Sequence, residues 1–598
     1  PLPPGAPASA RRAAAARDAP PAARARLPPK TAMFPSDRAR ARVRPLVARA
    51  LSLLLAAAAT GCDAPTLPTA ADGPGAPSPT PSAQLAAAAL PTAPAPPRAI
   101  VGTAYPTQTG RTLRVPAGGS IQAAVDSARL GDVIVLQAGA TYPSRSEIML
   151  RRKSTGTGWI VIRTSTPDSL LPAGVRVQPK HASRLARIVN TYGNPVIRTS
   201  KGAHHYRLVG LELTIDSARV PEIGTMVALG GAGADQDTTS EIPSHIVLDR
   251  VWVHAWATTQ LRRCISLNSA WTAIIDSYVS ECHNSGYDSQ AIGGFNGPGP
   301  FRISNNYLEG AAEVVMFGGA DADVDGVVPS DIEIRGNHVT RPVSWKGKWL
   351  VKNLLELKSA QRVVIEGNVF ENNWRHGQVG FAMLLKSTNQ SGGCPQCGTR
   401  DVVVRNNRFR RTPAGISVSA RDGSNTVVPA ARIRIAHNVF ELDDADPTFA
   451  GTDRSLQVVN GPSDVHITHN TIIDVPGTML LLDAGTATRF AFTDNVGVLG
   501  TYGIDGSNVL GGSATLARYA PEATVRGNVL VGSIGSLAYP AGNFFPATLD
   551  AVGFVDLARR GFALASTSPY RLRATDGTDP GAAVAQVDAA VRTAVVAP

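Results

Sequence analysis

The residues best placed to do chemistry fall between positions 345 and 386. Lys358 ends the apolar segment Asn353-Leu-Leu-Glu-Leu-Lys358, ten residues before Asn368, and Lys386 ends the equivalent segment Phe381-Ala-Met-Leu-Leu-Lys386. As stacked strands, these segments place the two ammonium groups one strand spacing apart on one outer face. Like charges that close depress each other's pKa, which a lysine needs in order to act as a base near neutral pH. Glu356, two residues before Lys358, shares that face. Glu313 and Glu356 offer a different chemistry, because paired carboxyl groups can divide the acid and base roles of glycoside hydrolysis. Trp345, Trp349 and Trp374 stand in or beside corner loops, interleaved with Lys346, Lys348, Lys352, Arg375 and His376. Trp faces stack on pyranose rings and cations read carboxylates, so this surface, with Glu313 at its edge, is expected to bind an acidic glycan.

Three further motifs bear on ligands. Asp321-Ala-Asp323-Val-Asp325-Gly326 has the D-x-D-x-D-G start of a calcium loop, in which alternate carboxylates converge and Gly permits the turn. Its twelfth position is Ile332 with Glu333 adjacent, which excludes an EF-hand and leaves Asp321, Asp323 and Asp325 as candidate Ca²⁺ ligands. Gly293-Gly-Phe-Asn-Gly297-Pro-Gly299 lacks the Gly-Lys-Ser/Thr of a phosphate cradle and reads as a turn. Cys264 with Cys282, and separately Cys394 and Cys397, read as disulfide cysteines of an exported protein, their pairing left open.

What must position these groups is a repeat. A short alternating apolar segment ends in Asn at positions 306, 337, 368, 407, 438, 470, 495 and 528, with steps of 31, 31, 39, 31, 32, 25 and 33 residues; Asp276 and Asp249 extend the series backwards. A variable period around a fixed motif means coils of constant cross-section carrying loops of different length. A second strand precedes each such segment, as in Val314-Val-Met-Phe317, Gly415-Ile-Ser-Val418 and Met479-Leu-Leu-Leu482. The period-two alternation without intervening helices predicts an all-β fold, a right-handed parallel β-helix of about eleven coils at roughly 4.8 Å each. Asn suits each corner because it tolerates the left-handed conformation and its amide pairs with the Asn above and below.

Residues 1–32 form a Pro/Ala/Arg run that resembles translated GC-rich upstream DNA, with Met33 as the start. A basic stretch from Arg38 to Arg49, an apolar run from Leu51 to Ala59, and Ala59-Thr-Gly-Cys62 then read as a signal peptide over 33–61. This resembles the lipobox of bacterial lipoproteins, which makes Cys62 the lipidated residue and the lipid the only membrane contact of an envelope protein. Residues 62–98 are expected as a Pro/Ala/Thr-rich tether, 99–545 as the β-helix and 546–598 as a closing segment. The net charge of +12 is concentrated in the leader: the first 61 residues hold 11 basic and 2 acidic side chains, the remainder 47 and 44. Nucleic-acid binding therefore has no global electrostatic support.

Gly119-Ser-Ile-Gln-Ala-Ala-Val-Asp-Ser-Ala-Arg-Leu-Gly-Asp-Val-Ile-Val-Leu136 followed by Gly139-Ala-Thr-Tyr142 resembles the opening coil of pectin-lyase-like right-handed β-helix proteins. The resemblance implies an N-terminal capping helix with Ile121, Ala124, Val125 and Ala128 buried. The clustered-Asp motifs of the polygalacturonase-type members are missing: Asp443-Asp444 stands alone and Arg432-Ile-Arg434 lacks the Lys. Lys358-Ser359 ahead of Gly367-Asn368-Val-Phe370 is instead similar to alginate and chondroitin lyases of the β-helix type. That similarity implies Lys358 as the base at C5 of a uronate, Asn353 and Glu356 as ligands holding Ca²⁺ against the uronate carboxylate, and Lys386 in the place of the basic residue that assists the leaving group. A second acidic ligand is not evident in this segment. The expectation is a monomeric protein acting on acidic polysaccharide, a β-eliminating lyase before a hydrolase, with a non-catalytic glycan-binding β-helix as the alternative.

Overall fold

The computed structural model describes residues 90–442, 446–449, 454–475, 477–532 and 538–595. The chain divides into two compact units, Pro1–Ala83 and Gln84–Pro598, and every described residue lies in the second. Met33, Cys62 and Asp443-Asp444 are outside the described residues.

Alternation of apolar and polar residues over short runs, broken by corners, lets each coil give one strand to each of three parallel sheets. The sheets hold 14, 12 and 13 strands, and in each the hydrogen-bonded neighbour is a strand of the adjacent coil. This is the right-handed parallel β-helix that the repeat predicts. The stack extends beyond the eleven coils counted from the Asn motif, because the coils before residue 244 lack that motif. Identical inward positions stack along the axis, as in Ile303, Ile334, Ile365, Val404, Ile435 and Ile467. The core thus repeats one cross-section, and loops of unequal length leave it between strands.

The corner asparagines form a continuous ladder. From Asn306 to Asn528, each donates its backbone N–H and its side-chain amide to the carbonyl oxygen of the Asn one coil on, at 2.8–3.1 Å, and Asn543 closes the series. Two features differ from expectation. The left-handed residue is the one preceding each ladder Asn, for example Asn305, Gly336, Asn406 and His437. The ladder also starts from Ser277, whose N–H donates to Asn306, so Asp276 and Asp249 stand beside it rather than in it.

Helix Ile121–Ser127 caps the first coil as expected, with Ile121, Val125 and Ala128 buried and Ala124 packed against the core. Its N-cap is Ser120, whose hydroxyl accepts from the Ala123 N–H. Cys264 pairs with Cys282 and Cys394 with Cys397. The closing segment adds an antiparallel hairpin, Phe554–Asp556 with Gly561–Leu564, and helix Val584–Val591. Residues 90–98, expected as part of the tether, are laid along the 14-stranded sheet. Among the described residues no helix is long and apolar enough to cross a membrane.

Candidate functional site

The outer face of the 12-stranded sheet carries the polar cluster. Strand Asn353–Leu357 sends Leu354, Leu355 and Leu357 into the core. Asn353 and Glu356 are left out of that core, although both are buried. Leu357 pairs with Leu385, which puts Lys358 and Lys386 in register one coil apart, as the sequence predicts. The same pairing on the other side sets Glu313 directly beside Asn353.

Glu356 lies between the two lysines. Its carboxylate is 3.0 Å from Lys386 Nζ and 3.8 Å from Lys358 Nζ, and Lys386 also reaches Asp422 at 2.7 Å. For Lys386 this corrects the expectation that its lysine neighbour depresses its pKa. Burial does penalise the Lys386 ammonium, but the carboxylates of Glu356 and Asp422 outweigh it and hold Lys386 above the ordinary lysine value. Lys386 is therefore held as a cation.

One coil earlier, Lys352 bridges Asp288 at 2.5 Å and Glu313 at 3.4 Å. Gln290 donates to Glu313 at 2.8 Å, and Arg263 donates to Gln290 at 3.1 Å. Burial, then the charges of Glu356 and Asp288, push the Glu313 carboxyl up to about 7. The fully buried Arg341 anchors the strand start by donating to the carbonyls of Asn353 and Gly310 at 2.8 and 3.1 Å.

Two buried oxygens here, Asn353 Oδ1 and Glu356 Oε2, accept no hydrogen bond, while Glu356 Oε1 faces the ammonium groups of Lys386 and Lys358 and Glu313 Oε1 that of Lys352 at 3.4 Å. Orphaned buried acceptors are costly unless a cation or donor completes them. Two carboxylates and an amide oxygen are the hard donor set that suits Ca²⁺. Glu313 would be the second acidic group of such a set, which the sequence segment lacks. It was legible only by superposing Glu313-Val-Val-Met-Phe317 on Asn353-Leu-Leu-Glu-Leu357, 40 residues on.

Other expected residues sit elsewhere. Trp345 and Trp374 are buried with Ala311, Val351 and Phe449, and Trp349 packs against them. Trp349 stacks on His283 with centroids 3.9 Å apart. Trp345 and Trp374 are 5% and 2% exposed, so they present no face for a sugar. Arg375 and His376 are exposed in the adjacent turn, where His376 Nδ1 accepts from the Val351 N–H at 3.1 Å. Asp321 accepts three backbone N–H groups, from Gln390, Ser391 and Gly393 at 2.7–2.9 Å. It clasps the loop of the Cys394–Cys397 disulfide, while Asp323 and Asp325 are exposed. Among the described residues no three His, Cys, Asp or Glu side chains gather for a metal, so the D-x-D-x-D-G segment does not converge as expected. A cavity lined by Glu147, Arg198, Lys201, Asp235 and Glu241 lies on the same sheet, several coils nearer the N-terminus and away from Lys358.

No family model and no curated protein matches the chain. Among solved structures it is similar to the PL6 family alginate lyase AlyGC, at 15% identity and TM-score 0.45, covering 73% of this chain and 53% of that one. It is also similar to a mannuronic acid specific polysaccharide family 6 lyase from human gut microbiota, at 12% identity and TM-score 0.45, covering 74% of this chain and 92% of that one. A third is the catalytic unit of a GH87 α-1,3-glucanase from Streptomyces thermodiastaticus strain HF3-3, at 11% identity and TM-score 0.40, covering 73% and 67%. The three long parallel sheets make the fold a right-handed parallel β-helix.

Proposed function

We propose that the protein is a carbohydrate-active β-helix enzyme that cleaves uronate-containing polysaccharide by β-elimination. The observation that carries this reading is the in-register Lys358–Lys386 pair around buried Glu356, beside the buried Glu313 carboxylate and the unpartnered Asn353 Oδ1. In its neutral form Lys358 takes the C5 proton; the electron pair forms the C4–C5 double bond as the C4–O bond breaks. Lys386, held charged, stabilises the negative charge that develops on the leaving oxygen, which takes its proton from solvent. Glu313, Glu356 and Asn353 would hold Ca²⁺. When bound, that ion neutralises the uronate carboxylate and so acidifies the C5 proton.

A second reading, hydrolysis by Glu313 and Glu356, draws on the Glu313 carboxyl being raised to about 7 beside a Glu356 paired with Lys386. Alginate, pectate, chondroitin and heparin, followed by ultraviolet absorbance of the unsaturated product, distinguish the readings. Absorbance on at least one polymer is expected, falling with a calcium chelator and returning with added Ca²⁺. Reducing ends without absorbance favour hydrolysis, and binding without turnover favours a glycan-binding role. The proposal includes export, with Cys62 lipidated and the protein acting as a monomer; the two disulfides support an oxidising compartment.

A further inference from the structure

The 14-stranded sheet carries a second ladder that the proposed chemistry does not use. In six consecutive coils one position alternates Asp331, Arg362, Asp401, Arg432, Asp464 and Arg489. Each Asp is gripped by the Arg of the next coil through two hydrogen bonds of 2.6–2.9 Å. The carboxylates therefore recur every second coil, a spacing of about 9.6 Å at the usual strand separation.

Leu90-Pro-Thr-Ala-Pro-Ala-Pro-Pro-Arg98 lies across this ladder. Thr92 donates its backbone N–H to Asp464 at 2.8 Å, Ala95 to Asp401 at 3.0 Å and Arg98 to Asp331 at 2.8 Å. The burial has the same period: Pro91, Pro94 and Pro97 are half-buried, whereas Thr92, Ala93, Ala95 and Pro96 are exposed. A three-residue period in burial and in hydrogen bonding is the signature of a polyproline II helix, whose turn of three residues rises about 9.3 Å. One turn of that helix thus spans two coils of the sheet. The match is in the sequence as well as the distance, because prolines supply the packed face and the residue after each keeps its N–H.

We propose that the Asp/Arg ladder is a docking rail for a polyproline II segment, that its occupant is Leu90–Arg98, and that it fixes where the preceding chain joins the coil stack. Thr92 is held on the strand Ser463–Thr468, two strands short of the C-terminal edge of the 14-stranded sheet. From there the segment runs toward the N-terminal coils. Val101 is buried against Val247, Ala273 and Ile275, and Arg207 donates to the carbonyls of Thr103 and Ala104. A Pro-rich stretch of composition usually given to a free spacer is here a bound ligand of its own domain.

Hydrogen exchange of the full chain, resolved to single amides, tests the rail. Thr92, Ala95 and Arg98 are expected to exchange about tenfold or more slowly than Ala93, because each bonds a carboxylate. Ala93→Pro keeps all three rail-facing donors and should leave the exchange rates of Thr92, Ala95 and Arg98 unchanged. Ala95→Pro keeps the polyproline II backbone but deletes the central donor, and should speed exchange at Thr92 severalfold, with the melting temperature of both variants within a degree or two of the parent. The proposal is overturned if Thr92, Ala95 and Arg98 exchange as fast as Ala93, or if the two proline variants behave alike.

Discussion

Lys358→Ala is expected to lose about 100-fold or more of turnover on the preferred uronate polymer while keeping its fold, the loss typical of removing a general base. The side chain is largely covered, yet its only ion pair is the 3.8 Å contact with Glu356, and Lys386 retains that carboxylate at 3.0 Å. Removing Lys358 therefore leaves no buried charge without a partner, so the melting temperature should change little. Undiminished turnover in Lys358→Ala with an unchanged melting temperature would remove Lys358 from the chemistry.

Asn407→Ala carries the largest expected cost in stability. Asn407 Oδ1 accepts from the backbone N–H and the side-chain amide of Asn368, and Asn407 Nδ2 donates to Asn438 and to the carbonyl of Ile365. All of these groups are buried, so truncation strands donors and acceptors in both neighbouring coils where water cannot reach them. A loss of about 3–5 kcal/mol follows from several unsatisfied buried groups at once. Calorimetry or denaturant unfolding measures it. A loss below about 1 kcal/mol would mean that the ladder contributes register and little stability.

The ladder also shows what the sequence makes legible. Asn recurs at corners because one side chain must satisfy backbone and amide groups of the next coil, and that demand repeats whatever the loop length. The Lys358–Lys386 register follows from the same repeat. What the repeat hides is sideways and long-range. Glu313 meets Asn353 only because a 40-residue coil returns to the same sheet, and loops of unequal length remove any fixed spacing that would reveal the pair. Glu356 reverses the expected electrostatics of Lys386 because its buried carboxylate is within reach of both ammonium groups. The tryptophans read as sugar platforms from their place in corner loops among cations, whereas Trp345 and Trp374 are buried in a cluster that includes Ala311 and Phe449, distant in sequence. The segment at 90–98 looks like a free spacer until the alternate aspartates are stacked in space.

The central claim is that the bond breaks by elimination at C4 and C5 with no water entering the products. Cleavage of the preferred uronate polymer in heavy-oxygen water, followed by mass spectrometry of the fragments, tests this directly. The account predicts fragments with an unsaturated non-reducing end and no heavy oxygen introduced at cleavage, once exchange at the reducing end is corrected with a pre-formed oligosaccharide. One heavy oxygen per cleavage and a saturated non-reducing end would contradict it and pass the chemistry to Glu313 and Glu356.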